Sequence, residues 1–416
     1  MSYRPRIVDA ELRSRLGSAG AVVIEGPRAC GKTETARQMA TSEVLLDVDV
    51  NARAAAALAP NSVLAGAVPR LIDEWQMEPS IWNHIRRAID DRKQPGQFIL
   101  TGSAVPVDDI TRHTGAARIS RLRMRPMSLL ESSHSEGSVS LRALLESVQG
   151  SVADPGLSIE DVVTLVAVGG WPSLLARSAP EALQATRDYL EEIRRADIRR
   201  VDGVRRDPDR VGRLFASLAR NVATCVSISA LAHDTGGADG PLTEDTVHQY
   251  MAVLDRLMII EDQPAWAPHL RSRSILRSAP KRHFVDPSLA VAALRAAPER
   301  LLREIEWLGF LFESLVIRDL RIYAQANDAI VRHYRDNTGL EVDAIVETAA
   351  GAWAAFEIKL GQKQIDEAAA KLLTFAARVD TARCGSPATL GVIVATGYGY
   401  VRSDGVVVIP VGALGP

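Results

Sequence analysis

The chain has 416 residues, too many for one ordinary hydrophobic core and enough for about three domains. Hydrophobic residues make up 47% of it and charged residues 24%, which excludes a disordered or fibrous chain and fits a globular one. A formal net charge of −2 excludes a globally basic nucleic-acid binder, so any such surface must be local.

From Ala21 to about Met127, short β-like runs alternate with helical stretches, the pattern of a parallel α/β sheet. Strands are expected at AVVIEG (21–26), VLLDVDV (44–50), RLIDEW (70–75), QFILTGS (97–103) and ARISRLRM (117–124). From about Ser140 to Leu257 the pattern turns helical, broken by GGWP (169–172) and HDTGGADGP (233–241). A hairpin-like segment rich in Pro, Arg and Ser covers 263–282, and after Glu299 a long helix leads into a second set of strands. Three regions result: an α/β domain over 1–135, a helical region over 136–295 and an α/β domain over 296–416.

The stretch GPRACGKT comprises Gly26, Pro27, Arg28, Ala29, Cys30, Gly31, Lys32 and Thr33, and it fits G-x-x-x-x-G-K-[ST]. It lies directly after an apolar strand and before the helix-like TETARQMA, where that pattern has meaning. Its glycines let the backbone curl so that N–H groups face a phosphate chain. Lys32 would reach the β- and γ-phosphates of ATP, Thr33 would place its hydroxyl on Mg²⁺, and Glu34 extends the nucleotide-binding stretch. Next, RLIDEWQ ends a strand on Asp73, a second partner for Mg²⁺, and Glu74, which can polarise an attacking water. The bland alternative for these two acids is a pair at a helix N-terminus. QFILTGS places Thr101 and Ser103 at a strand tip, where nucleotide crevices open, and Ser103 is counted with the catalytic set. Arg112 and Arg118 are candidates for a charge-stabilising arginine, or are ordinary surface residues.

In the middle region, 210–222, 228–233 and 243–258 read as three helices followed by a strand-like return at 282–285, a winged-helix arrangement over about 208–290. The third helix would present Thr243, Glu244, Thr246, His248 and Gln249. Beside it, HLRSRSILRSAPKRH (269–283) gathers five Arg or Lys residues and two histidines, so residues 243–283 are the expected DNA contact. The run 191–210 is also Arg-rich, but interleaved acids favour a salt-bridged helix. Trp171 of GGWP reads as a core or turn anchor.

After Glu299 the expected order is helix, strand, strand, strand, helix, strand, strand. Glu313 sits beside the buried stripe Leu301, Ile305, Leu308, Phe312 and Leu315 of the long helix, where a carboxylate needs a partner. EVDAIVE and WAAFEIKL then form a hairpin in which Asp343 and Glu357 can face one another, and alternation places Glu357 and Lys359 on one strand face. Glu313, Asp343, Glu357 and Lys359 resemble the D…E-x-K constellation of restriction-endonuclease-like nucleases. That resemblance implies Mg²⁺ held by Asp343, Glu357 and Glu313, with Lys359 orienting water or stabilising the phosphorane-like charge, and Glu357 and Lys359 counted as catalytic.

GPRACGKT, LIDEWQ, FILTGS, RPMSLLE (125–131), GGWP, HFVDPSLA (283–290), EVDAIVE and FEIKL, in this order, resemble the AAA-like ATPases of bacteria and archaea usually called "ATP-binding protein". The resemblance implies a P-loop domain, a helical region and a C-terminal restriction-endonuclease-like domain of unknown function, with ATP and Mg²⁺ as cofactors. Two functions follow. One is a Mg²⁺-dependent ATPase acting on DNA and cutting it with the C-terminal site; the other is an ATP-switched binding or regulatory module whose C-terminal site is silent. Three scattered cysteines, Cys30, Cys225 and Cys384, point to a reducing, cytoplasmic compartment. No signal-peptide core or bilayer-length apolar run suggests a membrane, and nothing in the residues counts subunits, so an oligomer is allowed.

Overall fold

A computed structural model describes residues 3–102, 114–148, 154–198, 201, 203–204, 206–268 and 279–416. They form two compact units, one of Met1–Pro126, Ala196–Arg205 and Ala252–Ile259, the other of Met127–Arg195, Arg206–Met251 and Ile260–Pro416.

The first unit is built on a parallel sheet of β1 (Ala21–Glu25), β2 (Ser42–Leu45), β3 (Arg70–Asp73), β4 (Phe98–Gly102) and β5 (Ile119–Arg123). Its strand order is β2-β3-β4-β1-β5. Alternation along β1 sends Val22 and Ile24 into one core with Leu12, Leu16 and Leu71. Ala21 and Val23 go into another with Trp75, Trp82, Ile85 and Leu100. A strand apolar on both sides is the signature of a central parallel strand. The expected strand over 44–50 is shorter and starts earlier: β2 covers Ser42–Leu45, a turn follows at 46–48, and a helix, Val50–Leu58, comes next. Asp49 is the reason, because its carboxylate caps that helix by accepting the Ala52 N–H at 2.9 Å.

The second unit carries a sheet of β7 (Ala329–Arg335), β8 (Glu341–Thr348), β9 (Trp353–Lys359), β10 (Thr389–Val394), β11 (Tyr400–Val401) and β12 (Val407–Pro410). The order is β11-β12-β10-β9-β8-β7, while a separate small pair joins β6 (Val139–Ser140) to β13 (Leu414–Gly415). β7, β8 and β9 form an antiparallel meander and β9, β10 and β12 run parallel. The helix Ile365–Arg378 supplies Ile365, Leu372 and Phe375 to a core with Trp353, Ala355 and Val392. The pairing of β7 and β8 slips by one residue between Arg332 and Tyr334, which sit opposite Ile345 and Val342. His333 alone therefore faces both Asp343 and Ala344, a β-bulge.

Helices Pro208–Arg220, Ile228–Gly236 and Glu244–Arg256 fall close to the expected three. Later in the chain, Ile260 pairs with Phe284 and Gln263 with Lys281 antiparallel, and Ala265 bridges to His333 of β7.

A buried polar hub joins several motifs of the second unit. Arg318, on the helix Ile305–Ala326, donates to Asp286 at 2.8 Å and to Asp319 at 2.7 and 2.9 Å. Asp286 also accepts the backbone N–H of Gly170 at 3.0 Å and the Ser288 hydroxyl at 2.6 Å; Trp171 Nε1 donates to that hydroxyl at 3.0 Å. Asp319 accepts the Leu129 N–H at 2.9 Å. GGWP, HFVDPSLA and part of RPMSLLE thus meet on one helix, and Trp171 is the anchor expected. At Gly170 a Cβ would lie 2.0 Å from the Met127 carbonyl oxygen, so no larger residue fits.

Candidate functional site

The phosphate-loop stretch leaves β1 and turns back through two left-handed residues, Ala29 at φ 61° and Gly31 at φ 102°, before the helix Lys32–Arg37. Gly26 is required by space, because a Cβ there would sit 2.3 Å from the Met124 carbonyl oxygen. Lys32 is buried, and its ammonium donates to the carbonyls of Gly26 at 2.9 Å and Pro27 at 2.8 Å. The loop's own carbonyls thus serve as acceptors for the lysine.

β3 ends on Asp73, next to β4 in the sheet. One Asp73 oxygen accepts the Thr33 hydroxyl at 3.0 Å and also the hydroxyl of Thr101 on β4. Thr101 therefore positions Asp73, a role its place at the strand tip did not specify. Thr33 and Asp73 offer a hydroxyl and a carboxylate side by side, hard oxygen donors that suit Mg²⁺. Glu74 stands in the left-handed region at φ 51°, where a non-glycine residue costs energy, and its carboxylate accepts the Gln76 amide. Arg28 forms an ion pair at 2.9 Å with Asp197 of the same unit, in the π-helical turn Ile193–Asp197. Glu34 pairs with Arg37 at 2.6 Å on the exposed surface. Cys30 is buried. Arg118 is engaged by Asp90 at 2.5 Å, while Ser103 and Arg112 lie outside the described residues.

In the second unit Glu313, Asp343, Glu357 and Lys359 come into one neighbourhood, but not as bare carboxylates around a single lysine. Lys281 inserts its ammonium between two of them, 2.6 Å from Glu313 and 3.3 Å from Asp343. Lys359 bridges Asp343 at 3.1 Å and Glu357 at 2.7 Å, and Lys371 reaches Glu357 at 2.9 Å. Asp343 also accepts the Ile358 N–H at 2.9 Å. Three lysines thus face three carboxylates. As they stand, these residues do not fit Mg²⁺. Among the described residues no group of three or more His, Cys, Asp or Glu side chains is disposed to hold a metal ion.

The charges follow from these contacts. Burial alone would lower the Lys281 ammonium, but Glu313 and Asp343 beside it more than reverse this and hold it above the ordinary range. Burial opposes ionisation of Asp343, yet Lys281 and Lys359 bring its carboxyl well below the usual range. Burial pushes Glu313 up to about 7 against the pull of Lys281, and raises Glu357 as well.

The basic segment expected to meet DNA is also revised. Lys281 and His283 are buried, and Arg282 is paired with Asp262. His283 faces the Ser314 hydroxyl at 3.1 Å and the Gln263 side chain at 3.2 Å. These three are internal connectors, not a phosphate-facing patch; residues 269–278, with Arg271, Arg273 and Arg277, lie outside the described residues. On the helix Glu244–Arg256, Glu244, His248 and Gln249 are exposed, whereas Thr243 caps it by accepting the Thr246 N–H at 3.2 Å. The run 191–210 is salt-bridged as expected, with Arg194 on Glu191 at 2.8 Å and Arg210 on Asp207 at 3.6 Å.

Lys281 and Lys371 were not apparent as site residues. Lys371 had one signal, a lone charge inside the apolar AAAKLLTFAA. Lys281 had none, because it reads as one more cation in a basic run.

Comparison with known proteins matches residues 18–133 to a family model described as an AAA domain. Residues 159–300 and 308–414 match two models described as domains of unknown function, DUF8612 and DUF4143, neither described as a nuclease or a winged helix. Uncharacterized proteins of Mycobacterium bovis and Mycobacterium tuberculosis are each 25% identical over 363 residues, spanning 86% of this chain and 74% of theirs. A Walker-type ATPase of Pyrococcus abyssi superposes with a TM-score of 0.43 and 12% identity, covering 70% of this chain and 99% of that one. Among the described residues no helix is long and apolar enough to cross a membrane. The first unit is therefore a parallel α/β fold whose phosphate loop lies within a region similar to AAA domains.

Proposed function

We propose that the chain binds ATP with Mg²⁺ at the phosphate loop and hydrolyses it. The observation that carries this is the placement of the Thr33 hydroxyl 3.0 Å from Asp73, beside a buried Lys32 on a left-handed loop. When ATP enters, the Lys32 ammonium exchanges the Gly26 and Pro27 carbonyls for β- and γ-phosphate oxygens. Thr33 and Asp73 would hold Mg²⁺, which when bound neutralises charge on the β- and γ-phosphates. Thr101 keeps Asp73 turned toward Thr33. Glu74 accepts a proton from the water that attacks the γ-phosphorus; the bond to the β–γ bridging oxygen breaks, leaving ADP and phosphate. Lys32→Ala should abolish nucleotide binding, whereas Glu74→Gln should keep it and lose turnover. Unchanged turnover in Glu74→Gln would remove the assignment of the base.

For the second unit we favour an ATP-switched binding or regulatory module over a nuclease, including its winged-helix-like part at 208–290. The observation behind this choice is the occupation of all three carboxylates by lysine ammonium groups. Wild-type and Glu357→Ala protein should both leave single- and double-stranded DNA and RNA intact with Mg²⁺ or Mn²⁺, with and without ATP. Product formed by the wild type and not by Glu357→Ala would restore the cutting function.

A further inference from the structure

We infer that Lys281 is the resident counter-charge of the C-terminal carboxylate cluster, a covalently tethered cation that keeps a divalent metal out of the Glu313–Asp343 pair. The inference stands on the geometry of this cluster, independently of ATP hydrolysis, and it gives a cause for the non-cutting reading of the second unit.

Three observations lead to it. The groups match in number: Glu313, Asp343 and Glu357 are held by Lys281, Lys359 and Lys371 at 2.6 to 3.3 Å. A divalent ion added to this set would leave uncompensated positive charge among buried groups, which is unfavourable. The lysine is also fixed in place. Its backbone N–H donates to the Gln263 carbonyl at 3.0 Å, and its own carbonyl accepts the Gln263 N–H at 2.9 Å. The Gln263 side-chain amide in turn donates to the backbone carbonyl of Asp343 at 2.9 Å. To withdraw Lys281, this stitch of Gln263 to Lys281 and to β8 would have to open.

Finally, the ammonium is in the place where a shared ion would be. It contacts one oxygen of Glu313 from the long helix and one of Asp343 from the bulged strand, the two carboxylates brought together from different elements. Lys281, Glu313 and Asp343 are all under 10% exposed, so no bulk water competes for these contacts. A lysine that did no more than decorate the surface would not be held by two carboxylates at once.

The test is Mn²⁺ binding to the full chain without nucleotide, read by electron paramagnetic resonance, with melting temperature followed in parallel. Wild type, Glu313→Gln and Asp343→Asn should bind the same number of Mn²⁺ ions, with melting curves equally insensitive to added Mn²⁺. Lys281→Met should gain one ion per chain, with Mn²⁺ affinity tightened about tenfold or more, and its melting temperature should rise on adding Mn²⁺. Asp343→Asn in that background should abolish both gains. Wild type binding an ion that Asp343→Asn loses would overturn the inference, as would folded Lys281→Met that gains none. If Lys281→Met does not fold without metal, refolding it in Mn²⁺ supplies the same decision: recovery supports the tethered cation, and failure alongside an Mn²⁺-binding wild type refutes it. Cleavage of nucleic acid is a separate readout, so loss of the non-cutting reading and loss of this inference are told apart.

Discussion

Replacing Arg318 with Met should be among the most damaging single changes in the second unit. The guanidinium is 2% exposed and spans two carboxylates that are themselves buried, Asp286 at 2.8 Å and Asp319 at 2.7 Å. Removing one partner of a buried ion pair costs about 3–5 kcal/mol, because the remaining charge is left without compensation. The two carboxylates are not equally exposed to that loss. Asp286 keeps three donors, the N–H groups of Gly170 and Ser288 and the Ser288 hydroxyl, whereas Asp319 keeps the Leu129 N–H and a 3.5 Å contact from Tyr323. Most of the penalty should therefore sit on Asp319, for a total of about 4 kcal/mol. Adding Asp319→Asn should recover about half of it, and Asp286→Asn less. Arg318→Lys should fall between, since one ammonium cannot fork to both carboxylates. Urea unfolding followed by far-ultraviolet circular dichroism gives the energies, and Trp171 fluorescence reports the hub through its bond to Ser288. A loss below about 1 kcal/mol for Arg318→Met, or equal rescue by either Asn substitution, would refute this account of the hub.

Gly26→Ala should abolish ATP binding in a filter or fluorescent-nucleotide assay, because its Cβ would press against the Met124 carbonyl at 2.3 Å and reshape the loop. Asp73→Asn should weaken Mg²⁺-dependent nucleotide binding by about tenfold or more while leaving metal-free binding nearly unchanged, as isothermal titration with and without EDTA would show. His333 has its pKa depressed to about 4, first by burial and then by the charge of Lys281. Its native form is neutral, so below the ordinary histidine range the unfolded chain takes up protons that the folded one refuses. The stability from this residue is full above about pH 6.5 and is lost as pH falls toward 4, at about 1.4 kcal/mol per unit. His333→Gln should flatten the urea midpoint against pH over that window; an unchanged slope would contradict the assignment.

What could be read in advance depended on how local the signal was. GPRACGKT carries its loop, its glycine requirement and its lysine within eight neighbouring residues, and the left-handed Gly31 follows from that pattern. VLLDVDV misled because an apolar run and a helix cap overlap in it, and Asp49 chose the helix. The hairpin of EVDAIVE and FEIKL was legible because alternation and a short turn suffice to bring Asp343 and Glu357 together. Lys281 was not: its two carboxylate partners are 32 and 62 residues away, and only the pairing of Gln263 with Lys281 aims it at them. The same pairing makes Lys281, plausible in sequence as part of a DNA patch, a structural connector. GGWP and HFVDPSLA were visible as words without a visible meaning, because the meaning is their mutual contact at Asp286 and Ser288, with Arg318 holding Asp286.

The bulge opposite His333 bears on which changes of chain length the second unit can tolerate. Val342 and Ile345, three positions apart, both join the apolar layer with Trp353 and Phe375, which regular alternation would forbid. Deleting one residue at 343–344 would make the ladder regular and, on paper, tidier. It would keep Val342 and Ile345 on their shared apolar side, but it would take away either Asp343 itself or the spare residue beside it that lets Asp343 meet Lys281 and Lys359. The extra residue of β8 thus serves the carboxylate cluster and not the apolar layer, and its loss should be felt at Lys281 and Lys359 before it is felt in the core.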